Sequence, residues 1–94
     1  MKIIVKRLIK EGKVEEVVKL YEELVELTRK EDGCTAYELY QDEKDSRTLA
    51  VIEEWENQDV LEKHKSSAHF ARLLPIINGL TEMKFNVDRY NKLI

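Results

Sequence analysis

Apolar and polar residues near the N-terminus alternate with the two-residue period of a β-strand. Ile3 and Val5 fall on one face of this segment, which extends to Ile9. Ile4 and Leu8 fall on the other face. Because apolar side chains occupy both faces, the pattern predicts a strand that is covered on both sides.

The next apolar positions recur at intervals of three and four residues, with glutamates between them. Residues 14–30 place Val17, Tyr21 and Leu24 on one face. This spacing predicts an amphipathic helix with an acidic face in solvent. Gly33 follows, and it suits the left-handed conformation that commonly ends a helix.

Two segments rich in β-branched and aromatic residues come next. A short polar turn separates Thr35–Gln41 from Arg47–Glu56, and this arrangement predicts a β-hairpin. Tyr37 and Tyr40 fall on opposite faces of the first strand, so only one of them can face a pocket.

A second helical region follows, and it is interrupted once. Asn57 is suited to cap its first turn. Ser66-Ser67 breaks the helix, and Ala68–Ile77 forms a second piece. Pro75 lies inside this second piece and is expected to bend or shorten it.

The last apolar segment, Thr81–Tyr90, predicts a fourth strand and completes the order β-α-β-β-α-β. This order is typical of a ferredoxin-like α+β fold, with a four-stranded antiparallel sheet and two helices on one face. At 94 residues the chain forms a single domain over residues 1–94. In the last strand the period places three apolar side chains inward: Met83, Phe85 and Val87.

The second face of the sheet needs a cover of its own. Two helices cover one face only, yet the strands carry apolar residues on both. We therefore expect a homodimer in which a second copy of the chain covers the other face. Two such sheets would form a dimeric α+β barrel, with the pocket enclosed between them.

Composition narrows the classes of partner. The net charge is only −3 although 37% of the residues are charged, so no basic surface for nucleic acid is expected. No segment approaches the roughly 18 apolar residues of a membrane span, and the N-terminus does not resemble a signal peptide.

The single cysteine, Cys34, excludes an intrachain disulfide and fits a reducing compartment, so we expect a cytoplasmic protein. The sequence has no phosphate-binding glycine loop and no metal-ligand motif, so neither nucleotide, flavin nor metal is expected.

Two ionisable residues fall on apolar faces of predicted elements. Glu53 shares a strand face with Trp55, and a carboxylate there must be paired or have a raised pKa. It is either half of an ion pair, with Arg47 or Arg7, or a catalytic base. His64 lies on the inward face of its helix, where imidazole suits acid–base chemistry. The alternative is a core histidine bonded to a backbone carbonyl.

Three spaced motifs carry a resemblance to a known family. They are Gly33-Cys34-x-x-Tyr37, Glu53-x-Trp55 and His64-x-x-x-x-His69. In these motifs, and over almost its whole length, the chain resembles the antibiotic biosynthesis monooxygenase (ABM) family of small dimeric α+β barrel proteins. That family includes quinol monooxygenases, haem-degrading enzymes and isomerases.

The resemblance implies a pocket for a small aromatic or quinol-like molecule and a monooxygenase reaction without a cofactor. The substrate would lose a proton and the resulting anion would react directly with oxygen. On this hypothesis His64 and Glu53 are catalytic, with His64 as the acid or base. Tyr37, Trp55 and His69 would contact the substrate. The structural alternatives are a core or interface role for Trp55 and an exposed position for His69.

Two departures from the family patterns count against particular activities. Quinone-forming oxygenases carry an asparagine where this chain has Val51. The haem degraders carry an asparagine in the first strand, which has none here. Haem would need an axial ligand, which His64 or His69 could supply.

Two other functions stay open from the sequence. One is an isomerase or other acid–base enzyme that acts on a small phosphorylated sugar. It would need a cationic pocket, so Arg47, Arg72 or Arg89 would have to turn inward. The other is a non-catalytic dimeric module that binds a ligand or serves in stress.

Overall fold

The computed structural model describes all 94 residues, and its elements follow the predicted order. No helix in it is both long and apolar enough to cross a membrane. The elements are β1 (Lys2–Ile9), α1 (Val14–Arg29), β2 (Cys34–Gln41), β3 (Thr48–Trp55), α2 (Gln58–Lys65), α3 (Ala68–Gly79), β4 (Thr81–Lys84) and β5 (Asp88–Tyr90).

The sheet is antiparallel, with the strand order β2-β3-β1-β4 and with β5 continuing alongside β1. Its register places Val5 opposite Val51 and Ile3 opposite Glu53. Tyr37 lies opposite Glu53 on the next strand. The ferredoxin-like α+β fold predicted from the sequence is confirmed.

The helices pack on one face of the sheet, which we call the inner face. Alternate residues of β1 and β3 point to it, and the apolar stripe of α1 packs against it. The core formed there contains Ile3, Ile9, Val17, Tyr21, Leu24, Tyr37, Leu49, Val51, Trp55, Leu61, Leu73 and Ile77.

The opposite, outer face of the sheet has no helix against it. Ile4, Leu8 and Ile52 lie on this face and are half-buried. Tyr40 lies there too, with 48% of its surface exposed. The outer face thus keeps an apolar surface that one copy of the chain does not cover.

A one-residue bulge divides the predicted last strand into β4 and β5. Arg7 pairs with Lys84 and Ile4 with Asp88, so a step of three residues on β1 faces a step of four on its partner. The bulge reverses the alternation of side chains between β4 and β5. Lys84 and Arg89 consequently both lie on the inner face, although they are five residues apart.

This bulge corrects the expectation that three apolar residues of the last strand point inward. Met83 lies on the outer face and is 47% exposed. Phe85 lies outward too, where its ring centroid is 5.2 Å from the amino group of Lys6. Only Val87, after the bulge, faces inward. A strict two-residue period has no means of representing an inserted residue.

A side-chain cap begins each of the helices α2 and α3. The Asn57 side chain accepts a hydrogen bond from the backbone N–H of Val60 (3.0 Å). Ser67 caps α3 in the same way and donates its hydroxyl to the backbone oxygen of His64 (2.6 Å). Pro75 does not shorten α3, which continues to Gly79; the expected shortening was wrong.

Candidate functional site

A cavity of about 350 Å³ lies between the inner face of the sheet and the helices α2 and α3. This volume falls within the range of small-molecule sites. The cavity lies inside one chain and is lined by Tyr37 and Glu53, so these residues are not on the face where a pocket between two sheets was expected. It forms because α2 and α3 do not fill the space above β1 and the bulged last strand. Its apolar wall includes Ile3, Val5, Val51, Leu61, Phe70 and Leu74.

Three side chains meet beside the cavity, and of these His64 is the one that lines it. Oε2 of Glu31 lies 2.7 Å from Nδ1 of His64 and 2.8 Å from Nε2 of His69. Glu31 comes from the loop after α1, and the break between α2 and α3 brings the two histidines to the same oxygen. We call Glu31, His64 and His69 the histidine–glutamate cluster.

The cluster determines the chemistry that His64 can offer. A carboxylate oxygen only accepts hydrogen bonds, so Nδ1 of His64 carries the proton. Nε2 of His64 has no hydrogen-bond partner in the chain and keeps its lone pair. Since His64 lines the cavity, this lone pair is placed to act as a base toward a ligand.

The protonation of His64 is set by two opposing effects. Burial lowers its pKa from the ordinary value of 6.5, while the hydrogen bond to Glu31 raises it. Burial is the larger effect, so the pKa is lowered overall. Imidazole is therefore neutral at pH 7, as a general base requires.

Glu53 is a buried carboxyl group without an ion-pair partner. It is 6% exposed and lines the cavity. Nε1 of Trp55 donates a hydrogen bond to its Oε1 at 2.8 Å. The pairing considered with Arg47 does not occur, because Arg47 pairs with Glu82 at 2.6 Å. Burial raises the pKa of Glu53, and the Trp55 hydrogen bond opposes that rise.

Trp55, which was predicted to contact a substrate, does not line the cavity. It is 1% exposed and lies behind His64, with the two ring centroids 4.7 Å apart. Its size fills the core while its N–H orients Glu53. Trp55 therefore supports two cavity residues, Glu53 and His64.

His69, which was also predicted to contact a substrate, lies outside the cavity lining. Its Nε2 is turned to Glu31 instead, and its side chain is 16% exposed. Glu31 itself was not predicted. It lies in a loop, where no periodicity marks a residue as inward-facing.

Tyr37 lines the cavity and is 3% exposed, whereas Tyr40 lies on the outer face. The Tyr37 ring centroid is 5.5 Å from that of His64. Burial is the main cause that raises the pKa of Tyr37, with Glu53 adding to it. The hydroxyl therefore stays protonated and can donate a hydrogen bond to a ligand.

Four cationic residues also line the cavity: Arg7, Lys65, Lys84 and Arg89. Arg7 was considered only as a partner for Glu53, and Lys65 and Lys84 were not singled out. The signal for Arg7 was present in the sequence, because it occupies an inward position between Val5 and Ile9. Arg72 pairs with Glu23 outside the cavity.

The histidine–glutamate cluster is also the place where the chain could hold a divalent metal. One ligand atom from each of the three residues lies within 4.8 Å of the others. Two imidazoles and a carboxylate form a common zinc donor set. In this structure the same atoms are engaged in hydrogen bonds with one another.

Cys34 does not join this chemistry. It is half-buried at the start of β2. Burial, with a further contribution from Glu31, raises the pKa of its thiol to about 11. Cys34 is therefore a thiol at neutral pH and a poor nucleophile.

Replacing Glu53 by glutamine is expected to stabilise the protein at pH 7 by about 1 kcal/mol. The folded state holds the Glu53 proton more tightly than the unfolded state, so its contribution to stability falls as pH rises above the ordinary pKa of 4.5. Glutamine keeps the oxygen that accepts from Trp55 and carries no charge. Urea unfolding at pH 7 and pH 4 measures the gain, which should vanish at pH 4.

Glu54→Gln is the matched control for this substitution. Glu54 is the next residue, its side chain is 41% exposed, and it pairs with Lys2 at 3.6 Å. Its substitution should change stability by less than about 0.5 kcal/mol. A loss of stability in Glu53→Gln at pH 7 would show that Glu53 is favourably ionised.

Solved structures with the same fold cover almost the whole chain. A crystal structure described as an antibiotic biosynthesis monooxygenase is 38% identical, with a TM-score of 0.92 over 99% of this chain and 98% of that one. A conserved protein from Methanosarcina mazei Go1 is 30% identical, with a TM-score of 0.89 over 96% of this chain and 91% of that one.

Two curated relatives match a shorter stretch. The uncharacterized protein sll1783 of Synechocystis is 32% identical over 62 residues, which are 66% of this chain and 42% of the relative. The uncharacterized protein YjcS of Bacillus subtilis is 30% identical over 63 residues, 67% of this chain and 60% of the relative. The match thus spans less than two thirds of either relative.

A family profile gives the assignment. The profile described as "Antibiotic biosynthesis monooxygenase" matches residues 1–74. This range contains all three motifs that carried the resemblance, and both histidines of the cluster lie within it. The chain belongs to the antibiotic biosynthesis monooxygenase family.

Proposed function

We propose that this protein is a cofactor-independent monooxygenase that acts on a small aromatic or quinol-like molecule bound in the cavity. The observation that carries the proposal is His64, which lies on the wall of the cavity and is hydrogen-bonded to Glu31 behind it. A neutral imidazole held by a carboxylate is suited to remove a proton from a phenolic hydroxyl. The apolar wall suits an aromatic ring.

The proposed reaction needs only groups that the chain supplies. Nε2 of His64 takes the proton, and Glu31 stabilises the imidazolium that forms. The electron-rich anion then reacts with O₂, with one oxygen atom bonded to the ring and the other released as water. The four electrons that reduce O₂ come from the phenol, which becomes a quinone. Val51 stands where the quinone-forming oxygenases carry an asparagine, so in this chain the polar contacts to the substrate would come from His64 and Tyr37. Tyr37 can donate a hydrogen bond to the developing oxyanion.

Oxygen uptake with a panel of phenols and hydroquinones tests this proposal. We expect uptake of one O₂ per substrate, unchanged by a metal chelator, and one ¹⁸O atom in the quinone from labelled O₂. Heat-denatured protein gives the rate of autoxidation. Uptake no faster than this autoxidation across the whole panel would overturn the oxygenase proposal.

An acid–base isomerase acting on a small phosphorylated sugar is the second candidate. The observation that favours it is the cationic lining, since Arg89 is on the cavity wall with Arg7 and Lys84. Arg47 and Arg72, the other two arginines considered, pair with Glu82 and Glu23 instead. Isomerisation of phosphosugars without oxygen uptake would support this candidate. Ligand binding without either reaction would support a non-catalytic module.

We also propose a homodimer joined through the outer face of the sheet. The proposal rests on the apolar residues that the outer face exposes and that no helix covers. A symmetric dimer would place this patch against its own copy. The cavity lies on the opposite face of the sheet, so each chain would keep a cavity of its own.

The substitution Ile52→Glu is expected to convert this dimer to a monomer. Ile52 lies in the middle of the outer face, between Ile4 and Glu38 on the neighbouring strands, so a buried, unpaired carboxylate would stand in the interface. Light scattering at micromolar concentration should give twice 11.1 kDa for the wild type and half that mass for the variant. Lys44→Glu, in the exposed turn, should stay dimeric. A monomeric wild type contradicts the proposal.

A further inference from the structure

Arg7 is a buried cation that no acidic side chain neutralises. It is 2% exposed and lines the cavity. Nη1 donates hydrogen bonds to the side-chain oxygens of Asn78 (2.6 Å) and Thr81 (3.3 Å), both uncharged. Nε is buried and has no hydrogen-bond partner. Buried charges in proteins are normally paired, so this guanidinium lacks the anionic partner that a buried cation usually has.

A second cation lies directly opposite Arg7. Lys84 is its cross-strand partner in the register of β1 and β4, and both side chains line the cavity. Like charges in directly opposite positions repel each other and destabilise a sheet. Burial and the nearby Arg7 lower the pKa of Lys84, and Glu53 only partly opposes them. An anion placed between the two cations would remove this repulsion.

The rest of the lining gives the cavity an excess of positive charge. Lys65 and Arg89 add two cations, and Glu53 is the one acidic residue of the lining. Arg89 donates to the neutral side chain of Gln58 at 2.6 Å. Only Lys65 pairs with a carboxylate, that of Glu62 at 3.6 Å.

We propose that the cavity binds an organic anion, with its oxyanion group held by Arg7 and Lys84 and its apolar body directed toward His64. This rests on the proposed function, because it takes the same cavity as the substrate site. Arg7 marks one end of the cavity and Glu53 the other. The two are separated along β1, because Arg7 is four residues from Ile3, which pairs with Glu53. Four residues of strand span about 13 Å.

This length selects the class of ligand. A free inorganic anion would fill only the Arg7 end and leave the apolar wall uncovered. An aromatic carboxylate or an aryl phosphate ester would fill both parts, with its acidic group at Arg7 and its ring near Phe70 and His64. The chemistry shared by these ligands is an oxyanion on an apolar body.

Binding measured by the fluorescence of the single tryptophan tests the proposal without turnover. The probes are 4-hydroxybenzoate, phenyl phosphate, inorganic phosphate and the neutral isostere 4-hydroxybenzamide. We expect the two organic anions to bind at least 10-fold more tightly than the amide and than inorganic phosphate. The better of the two identifies a carboxylate or a phosphate ester as the oxyanion.

Variants locate the oxyanion group. Lys84→Gln should weaken binding of the preferred anion about 10-fold and leave the amide unchanged, and Arg7→Gln should weaken it at least as much. Lys10→Gln removes the same charge from an exposed position outside the cavity and should alter the dissociation constant less than twofold. Because Arg7 is buried, circular dichroism must confirm that its variant folds, and Lys84→Gln carries the test if it does not.

The outcomes separate this proposal from the proposed function. Equal affinity for acid and amide, no binding of either organic anion at 10 mM, or equal effects of Lys84→Gln and Lys10→Gln would overturn the anion site. Tight anion binding with no oxygen uptake would overturn the oxygenase alone. Oxygen uptake on neutral phenols without anion selectivity would overturn the anion site alone.

Discussion

Replacing His64 by glutamine is expected to lower the rate of oxygen uptake by about 10²–10⁴-fold, the usual contribution of a general base. Glutamine keeps a polar side chain of similar reach but has no lone pair that can take a proton at neutral pH. Since proton removal precedes the reaction with O₂, kcat should fall while KM changes little. Uptake measured over a range of substrate concentrations separates the two.

The control for this loss is His69→Gln. His69 shares Oε2 of Glu31 but lies outside the cavity lining, so its variant should keep more than about a tenth of the wild-type rate. Retention of a similar fraction by His64→Gln would show that His64 is not the base. Circular dichroism checks that both variants fold.

The pH profile gives a second measure of the same role. The wild-type rate should rise with pH through the lowered pKa of His64 and be level at pH 7. Because Glu31 raises that pKa, Glu31→Gln should move the rising limb to lower pH. A limb that stays in place would separate Glu31 from the titration of His64.

Protein stability should depend on the same group. The folded state binds the His64 proton less tightly than the unfolded state does. Its contribution to stability is therefore full above pH 6.5 and is lost as pH falls below that value.

Gly33→Ala is expected to reduce the free energy of unfolding by about 2–5 kcal/mol. Gly33 has φ +83°, and a Cβ atom there would lie 2.7 Å from the side chain of Val60. The substitution therefore adds a backbone penalty of about 1–2 kcal/mol to an overpacking penalty of about 1–3 kcal/mol. Urea denaturation at pH 7 measures the sum.

Gly12→Ala separates the two penalties. Gly12 has φ +77° and nothing within 4 Å of a Cβ atom, so only the backbone penalty of about 1–2 kcal/mol applies. Equal losses in the two variants would mean that Val60 moves aside without cost. Gly33 also lies two residues from Glu31, so its variant should disturb the histidine–glutamate cluster as well as the fold.

Periodicity in the sequence was sufficient to predict the fold and some of the residues that line the cavity. Periodicity showed that Glu53 and His64 each share a strand or helix face with apolar residues, and this depends only on local geometry. Tyr37 was preferred to Tyr40 on the resemblance to the ABM family. Periodicity did not show which face of the sheet the helices cover: Glu53 was expected in a pocket between two sheets and lies on the helix-covered face. The same rule applied to Arg7 would have marked it, since a charge between two inward apolar positions is the signal that singled out Glu53.

The rest of the site depends on irregular structure and on tertiary packing. Glu31 lies in a loop and meets the two histidines only because α2 ends at Lys65 and α3 begins at Ala68. Lys84 and Arg89 face the cavity because a bulge changes the register between them. The position of the cavity depends on how far α2 and α3 stand from the sheet. No local pattern in the sequence encodes any of these.

The bulge between β4 and β5 also determines where the chain can lose a residue without changing the pairing of its strands. In β3 the loss of one residue before Val51 would turn Val51 and Glu53 away from the helices, because every side chain after the deletion would change faces. At the bulge a strand already carries one residue more than its partner, so the loss of that residue would leave the pairings of Lys84 and Arg89 intact. Residues 85–87 are thus a point where a deletion can be absorbed, and where the ligand-facing wall can diversify independently of the histidine–glutamate cluster.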